Sequence, residues 1–411
     1  VSELSPAAPT PPRDRIAVLD LWRGFALLGV AIVNFVHDND GFLNRAAAEA
    51  LPTAGLDWRV WNAIELLLAN KFNTIFTLLF GMGVGLMAER LAAAGADVDR
   101  LLLRRMLVLL LIGWVHFLGL YYGELLHVYA LGGLLLLLLR RLPDAGLVAL
   151  GLGCALLGRL VYEERPWLLT VLPEAWHALL PARSPQAWDA ATRHALLETG
   201  SAADLLRANA HRALEDEGRL LYRVATGTYY FGRMVLGYVF WRSGAARALL
   251  GATAGRIGRL AATAVVLTVA GIATLKLAGP VPAGVATHAL VNLVRHATIL
   301  VQAVAWLLLL LWLWRRFPGH RAFAPFRAVG RMSLSNYLVQ SVVMLLVLYG
   351  PGLRLAGDIG HLAAALLAVA TFALQAAWSQ RWLATREQGP AEWLWRRLTY
   401  GGALTGAASR P

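Results

Sequence analysis

Cysteine is almost absent from this chain. Cys154 stands alone inside an apolar stretch, so neither a disulfide framework nor a set of cysteine metal ligands can be assembled within it. Charge is scarce as well, at 15% of the 411 residues, and lysine is nearly missing, with Lys71 and Lys276 the only two. A soluble domain carries more charge than this. The first fifteen residues, Val1 to Arg15, lack the apolar run of a cleaved signal peptide and are rich in Pro, Ala and Ser; they read as a disordered cytoplasmic tail. No strand precedes the glycine run Gly81-Met82-Gly83-Val84-Gly85, which argues against a phosphate-binding loop and leaves close helix packing as the reading of its GxxxG spacing. No internal repeat is visible, and no pair of hydrophobic segments is broken by Gly or Pro, which counts against an inverted-repeat transporter.

What is present in excess is apolar surface. Hydrophobic residues make up 58% of the chain and mean hydropathy is +0.56, so much of that surface must face lipid. At roughly 20 apolar residues per crossing, helices are expected near 16–36, 61–88, 101–121, 124–141, 145–162, 221–241, 258–277, 287–314, 328–349 and 360–382. The formal charge of +13 comes mainly from arginines in short connectors: Arg90, Arg100, Arg104 and Arg105; Arg140 and Arg141; Arg242, Arg247 and Arg256; Arg315, Arg316, Arg321 and Arg327. The alternate short connectors are almost bare of positive charge. By the positive-inside rule both termini are cytoplasmic, and the charge signals topology and not a nucleic-acid partner.

The fold expected is therefore all-α, a polytopic membrane helix bundle of about ten transmembrane helices. Its parts are a tail at 1–15, five helices within 16–162, an extracytoplasmic amphipathic segment at 163–220, five more helices within 221–382, and a cytoplasmic tail with an interfacial helix at 383–411. Within the outer segment Ala187 to Glu198 and Ala202 to Leu214 show helical periodicity.

Charged side chains near a helix centre cost about 2.5 to 3.5 kcal/mol each on the insertion scale, so their placement is informative. Asp20 and Arg23 lie three residues apart on the first helix and can pair. Glu65, Asn70, Lys71 and Asn73 interrupt the second. His116 ends the third and Glu124-Leu-Leu-His127 opens the fourth across a very short connector. Glu-x-x-His can be half of a di-iron site, but the other carboxylate helices such a site needs are not evident, so no metal is expected. Tyr229, Tyr230 and Arg233 share the sixth helix. His288, Asn292 and Arg295 fall on one face of the eighth beside His296, and Ser333, Asn336, Tyr337 and Gln340 on one face of the ninth. With the topology applied, most of these groups, together with His37 and Asp38, fall in the outer half. A polar cavity opening toward the outer face is the expectation.

The run Arg15-Ile-Ala-Val-Leu-Asp-Leu-Trp-Arg-Gly through Asn34 is one of several that resemble the bacterial YeiB-like family. The others are Lys71-Phe-Asn-Thr-Ile-Phe through Gly81, and Tyr122-Gly-Glu-Leu-Leu-His-Val-Tyr-Ala-Leu131. The carboxy-terminal half of that family is a domain of unknown function numbered 418, matched here by Gly330-Arg-Met-Ser-Leu-Ser-Asn-Tyr-Leu-Val-Gln-Ser341 and Gly389-Pro-Ala-Glu-Trp-Leu-Trp-Arg396. The family is in turn similar to transmembrane acyltransferases, including the heparan-glucosaminide acetyltransferases. In the related acyltransferase-three family an arginine on the first helix precedes a catalytic histidine; Arg23 matches the arginine, and Asn34 stands at the histidine position.

The resemblance implies a membrane-bound acyltransferase in the bacterial cytoplasmic membrane, moving an acyl group from cytoplasmic acyl-CoA, such as acetyl-CoA, to an envelope lipid or glycan acceptor. A histidine would act as general base. Acid–base candidates are His116, His37, Glu124 and Asp38. Candidates for binding are Asp20, Arg23, Asn34, Lys71, His127, Arg295, His296, Asn336 and Gln340, with Lys71 or Arg295 stabilising an oxyanion. Membrane lipids are expected partners, and a homo-oligomer is open. The competing readings are a small-molecule or lipid transporter or channel, and a noncatalytic lipid-binding protein.

Overall fold

The computed structural model describes residues 16–40, 53–164, 170, 173–174, 195, 199–214, 218–279 and 285–400. The tail at 1–15, the last residues beyond 400 and most of Ala187 to Glu198 lie outside these. Among the described residues the secondary structure is helical throughout. In chain order the helices are α1 (Ala17–Asp40), α2 (Ala54–Leu67), α3 (Lys71–Ala93), α4 (Val98–Gly119), α5 (Leu126–Leu139), α6 (Asp144–Leu157), α7 (Leu160–Glu163), α8 (Ala202–Leu214), α9 (Gly218–Arg242), α10 (Ala245–Gly251), α11 (Ala254–Leu277), α12 (Val285–Arg316), α13 (Phe323–Arg331), α14 (Ser333–Leu348), α15 (His361–Thr385) and α16 (Pro390–Tyr400).

Each of the ten expected segments is occupied by a helix or a pair of helices. Among the described residues six stretches are long and apolar enough to cross a membrane, counting α2 with α3, and the bent pair α13–α14 makes a seventh. The remaining segments fall short for physical reasons. α5 and α6 have 14 residues each, about 21 Å of helix against a hydrocarbon core of about 30 Å. α9 dilutes its apolar run with Arg223 and Arg233 and with Thr and Tyr. The chain is thus a multi-pass helical membrane protein with six or seven clear spans.

Two segments read as single helices are broken, and neither break holds Gly or Pro at the broken residue. α2 ends at Leu67 and α3 restarts after Asn70, whose φ of 64° is left-handed. α13 and α14 meet at Met332 with a 90° bend. Backbone groups freed inside a membrane protein must find partners, and here side chains supply them. Lys71 Nζ donates to the Glu65 carbonyl (2.6 Å), Gln302 Nε2 to Leu66 O (2.9 Å) and Trp306 Nε1 to Leu67 O (3.2 Å). At the start of α14, Glu392 accepts from the amides of Leu334 (2.7 Å) and Ser335 (3.2 Å). The first turn of α15 is met in the same way by Asp57, which accepts from Leu362 N at 2.7 Å. The two breaks correct the expectation of single helices over 61–88 and 328–349; neither is of the Gly- or Pro-broken kind that the sequence argued against.

Close backbone approach organises the packing. A Cβ at Gly24 would strike the Phe326 carbonyl and one at Gly330 the Asp20 carbonyl, so α1 and α13 cross at a contact only glycine permits. α3 and α9 cross in the same manner, Gly81 against Met234 and Gly237 against Leu78, as the GxxxG reading anticipates. Around these crossings lie two buried apolar clusters, one joining α1, α3 and α12 through Trp22, Phe72, Ile75 and Leu311, the other joining α3, α4, α5 and α9 through Leu102, Tyr129, Leu136 and Met234.

Candidate functional site

The helices enclose a cavity of about 450 Å³ between α1, α3, α4, the α4–α5 connector, the α13–α14 pair and α16. One end is basic. Arg23, Arg90, Arg105, Arg331 and Arg396 line it against two carboxylates, Asp20 and Glu392, so the mouth carries an excess of positive charge and favours anions. The arginines are held in place. Arg23 pairs with Asp20 at 3.1 Å, as their spacing predicts. Arg331 Nη2 donates to Glu387 O (3.0 Å) and Arg396 Nη1 to Gln388 Oε1 (3.2 Å). The Arg105 guanidinium lies 3.7 Å over the Trp395 ring, and the Trp395 Nε1 donates back to Arg105 O at 3.0 Å.

Beyond the arginines the cavity is apolar, walled by Leu79, Phe80, Met106 and Leu109, while Val84, Met87 and Leu102 give the mouth an apolar flank. Its far end is polar again, formed by Asn34, Asn73, Gly123, Tyr129 and Tyr337. Thr77 Oγ1 donates to the Tyr129 hydroxyl at 3.1 Å, orienting that ring. The whole is an amphipathic shaft: a cationic mouth, an apolar bore and a neutral hydrogen-bonding floor.

α16 completes the mouth. It runs as an amphipathic helix whose Glu392, Trp395, Arg396 and Tyr400 reach the cavity. Glu392 holds it down, because its carboxyl also accepts from Ser335 Oγ at 2.5 Å while capping α14. Burial pushes the Glu392 carboxyl above the ordinary carboxylate range, against the opposing pull of the Ser335 and Leu334 donors.

The cavity thus sits at the end where α1 and α4 begin and α3 finishes, opposite to the outer-face opening expected from the sequence. The reason is that the polar groups expected in the outer half mostly satisfy one another. His37 Nε2 lies 2.6 Å from Glu65 Oε1. Asp38 accepts from the Tyr122 hydroxyl at 2.9 Å. Glu124 and His127 are hydrogen-bonded to each other. His296 meets Glu163 at 2.8 Å, and Asn292 donates to Glu164 at 2.7 Å and accepts from Arg295, also at 2.7 Å.

Of the candidate acid–base and binding residues, Asp20, Arg23 and Asn34 line the cavity, joined by Asn73, Ser333 and Tyr337 from the polar faces noted in the sequence. His116, Asp38 and His127 lie around the connector 120–125, which holds Glu124, and none of the four lines the cavity; His116 is 2% exposed and stacks edge-on to Tyr337 at 5.2 Å. Lys71 is spent on the break after α2. Arg295 and His296 belong to a separate cluster on α12. Asn336 and Gln340 form an interhelical ladder, Asn336 donating to Ser379 Oγ (3.0 Å) and Gln340 to Gln375 Oε1 (3.0 Å). Arg90 and Arg105 were not singled out for the site, because connector arginines read as topology signals, and Arg331 and Arg396 entered only as parts of the family motifs. Arg233, fully buried, donates to Thr74 Oγ1 (3.0 Å), Ala155 O (3.1 Å) and Tyr229 O (2.9 Å), and so ties α9 to α3 and α6.

Residues 242–402 match the family model described as "Protein of unknown function (DUF418)". Across 97% of both chains the sequence is 29% identical to the uncharacterized protein YxaH of Bacillus subtilis. It is 28% identical to an uncharacterized 39.9 kDa protein encoded in the amylase 3′ region of Bacillus acidopullulyticus, over 94% of each chain. With the uncharacterized protein YeiB of Escherichia coli it shares 27% identity over 95% of this chain and 97% of that one.

Proposed function

We propose that the chain, whose residues 242–402 match the DUF418 model and which is similar along its length to YxaH and YeiB, is a YeiB-like membrane protein whose amphipathic cavity binds an acyl-CoA and which transfers the acyl group to an acceptor on the other side of the bacterial cytoplasmic membrane. The observation that carries this reading is the order of chemistry along the shaft. Guanidinium groups suit the phosphates of the nucleotide end. The apolar bore suits the pantetheine arm, and the amide and hydroxyl groups at the floor suit a thioester carbonyl, where Asn34 and Tyr337 can hydrogen-bond the oxyanion that forms on attack.

Length agrees. From Arg23 to Asn34 along α1 the axial rise is about 16 Å. The arm between the phosphates and the sulfur of CoA is a chain of about a dozen bonds, which extends about 14 Å at the spacing of an extended backbone. A donor anchored at the arginines therefore brings its thioester to the floor. The positive-inside distribution supports placing the mouth, and both termini, on the cytoplasmic side where acyl-CoA is found.

The test is direct. Purified protein in lipid nanodiscs is mixed with labelled acetyl-CoA, and binding and release of CoA thiol are measured. Arg105→Gln and Arg396→Gln are expected to weaken donor binding about tenfold each, the effect of losing one charge-assisted contact. Equal affinity for acetyl-CoA in the wild type and both variants would refute the reading.

A transporter is the second reading, and the two broken helices favour it, since discontinuous helices are a common feature of transport sites. Substrate-dependent flux in proteoliposomes with no consumption of acyl-CoA would select it.

A further inference from the structure

The cavity faces a definite stripe of α1. Val30 and Asn34 line its upper part, and the next position on that face, at i, i+4, i+7, is His37. His37 is exposed, with its side chain 40% accessible, and its Nε2 is 2.6 Å from Glu65 Oε1, whose side chain is 41% accessible. A carboxylate only accepts, so Nε2 carries the proton and Nδ1 is the basic nitrogen. Trp61, one turn before Glu65 on α2, stacks its ring 5.1 Å from the imidazole. The turn that carries Glu65 is clamped by the donors from Lys71, Gln302 and Trp306 to the last carbonyls of α2.

The other histidines near the connector are built differently. His116 is buried between Tyr121 and Tyr337, and neither ring nitrogen has a hydrogen-bond partner. His127 has Glu124, but its ring is wedged against Trp114 and Phe117. His296 has Glu163, but its side chain is 3% exposed and lies on α12, away from the cavity. His37 combines an orienting carboxylate, an open face and a position one turn beyond Asn34, just outside the cavity lining on the α1 stripe that carries Val30 and Asn34.

We infer that His37 and Glu65 are the acceptor-side acid–base pair of this protein, serving a hydroxyl or amine acceptor that arrives at the end of α1 opposite the arginine mouth. This rests on the acyl-transfer reading and deepens it. His37 Nδ1 takes the proton from the acceptor as its oxygen or nitrogen bonds to the thioester carbonyl carbon above Asn34. The C–S bond then breaks and the proton passes from the imidazolium to the leaving thiolate, giving the ester or amide and free CoA thiol. Glu65 does not touch the substrate; it is a positioning residue that fixes the tautomer and stabilises the imidazolium.

The experiment supplies labelled acetyl-CoA with glycerol or ethanolamine as probe acceptors to the full chain in nanodiscs. His37→Ala and Glu65→Gln are expected to lower kcat at least 100-fold, the usual scale of general acid–base catalysis, with the KM for acetyl-CoA unchanged. Glu65→Asp should restore part of kcat, which a merely structural role would not predict. Retention of the acetyl-CoA thermal shift in each variant shows that fold and donor site are intact. Wild-type kcat in His37→Ala, or loss of turnover in His116→Ala with His37→Ala unaffected, would overturn the pair and leave acyl transfer standing. A wild type that binds acetyl-CoA but acylates neither probe at any concentration would sink acyl transfer and the pair with it.

Discussion

A buried lysine inside an apolar run reads as a ligand for substrate, yet the Lys71 ammonium is used to close a helix. Its Nζ reaches the Glu65 carbonyl, one of the orphan acceptors that every helix C-terminus leaves. Replacing it by methionine keeps the stem and removes the donor, so Lys71→Met is expected to cost about 1 to 3 kcal/mol, seen as a lower thermal midpoint in detergent. Glu392 carries a second residue-scale consequence. Its carboxyl is raised by burial, so the protonated form is favoured in the docked state. Its contribution to docking is complete below the unfolded carboxylate pKa of about 4.3 and is lost as pH rises through the higher folded value. Hydrogen exchange over 390–400, corrected for the intrinsic pH effect, is therefore expected to speed up with rising pH in the wild type. In Glu392→Gln, which does not titrate, that added dependence should vanish.

At the scale of the element, hydrophobic runs located the helices well and their interruptions poorly. The apolar periodicity of 61–88 and 328–349 is continuous, because the residues at the breaks are ordinary helix formers or tolerate either conformation. What breaks the chain there is distant: Gln302 and Trp306 from α12, and Glu392 from α16, supply partners that the local sequence does not contain. Close crossings were more legible, since a glycine pattern in a lipid-facing helix has few other uses. The crossing of α1 and α13 gives a test. Gly330→Val pushes a branched side chain into the Asp20 backbone and is expected to destabilise by about 1 to 3 kcal/mol. Gly153→Ala on α6, where a Cβ meets no atom within 4 Å, should be neutral or stabilising by about 0.5 to 1 kcal/mol. Thermal unfolding of the pair separates packing from helix propensity.

For the whole molecule, the cavity is the feature the sequence showed least. Its arginines come from α1, α3, α4, α13 and α16, and no one segment announces that they converge. The polar residues that drew attention in the outer half were each improbable alone, and in the fold most are paired with one another, so depth in the membrane identified cost but not access. Only assembly of the bundle distinguishes a charge consumed by a neighbour from one that faces an open volume. That distinction can be tested at Gly83, which lines the shaft and whose added Cβ would meet only the tip of Arg23 Nη2, at 3.8 Å. The Cβ of Gly83→Leu enters the shaft beside Arg23 without striking backbone. It is expected to fold with a thermal midpoint close to wild type, since Gly to Leu within a helix is favourable by propensity. It should at the same time lose acetyl-CoA binding at least tenfold by filling the space the pantetheine arm needs. Undiminished binding in a folded Gly83→Leu would mean that the donor does not enter this shaft, because Gly83 lines it beside Arg23.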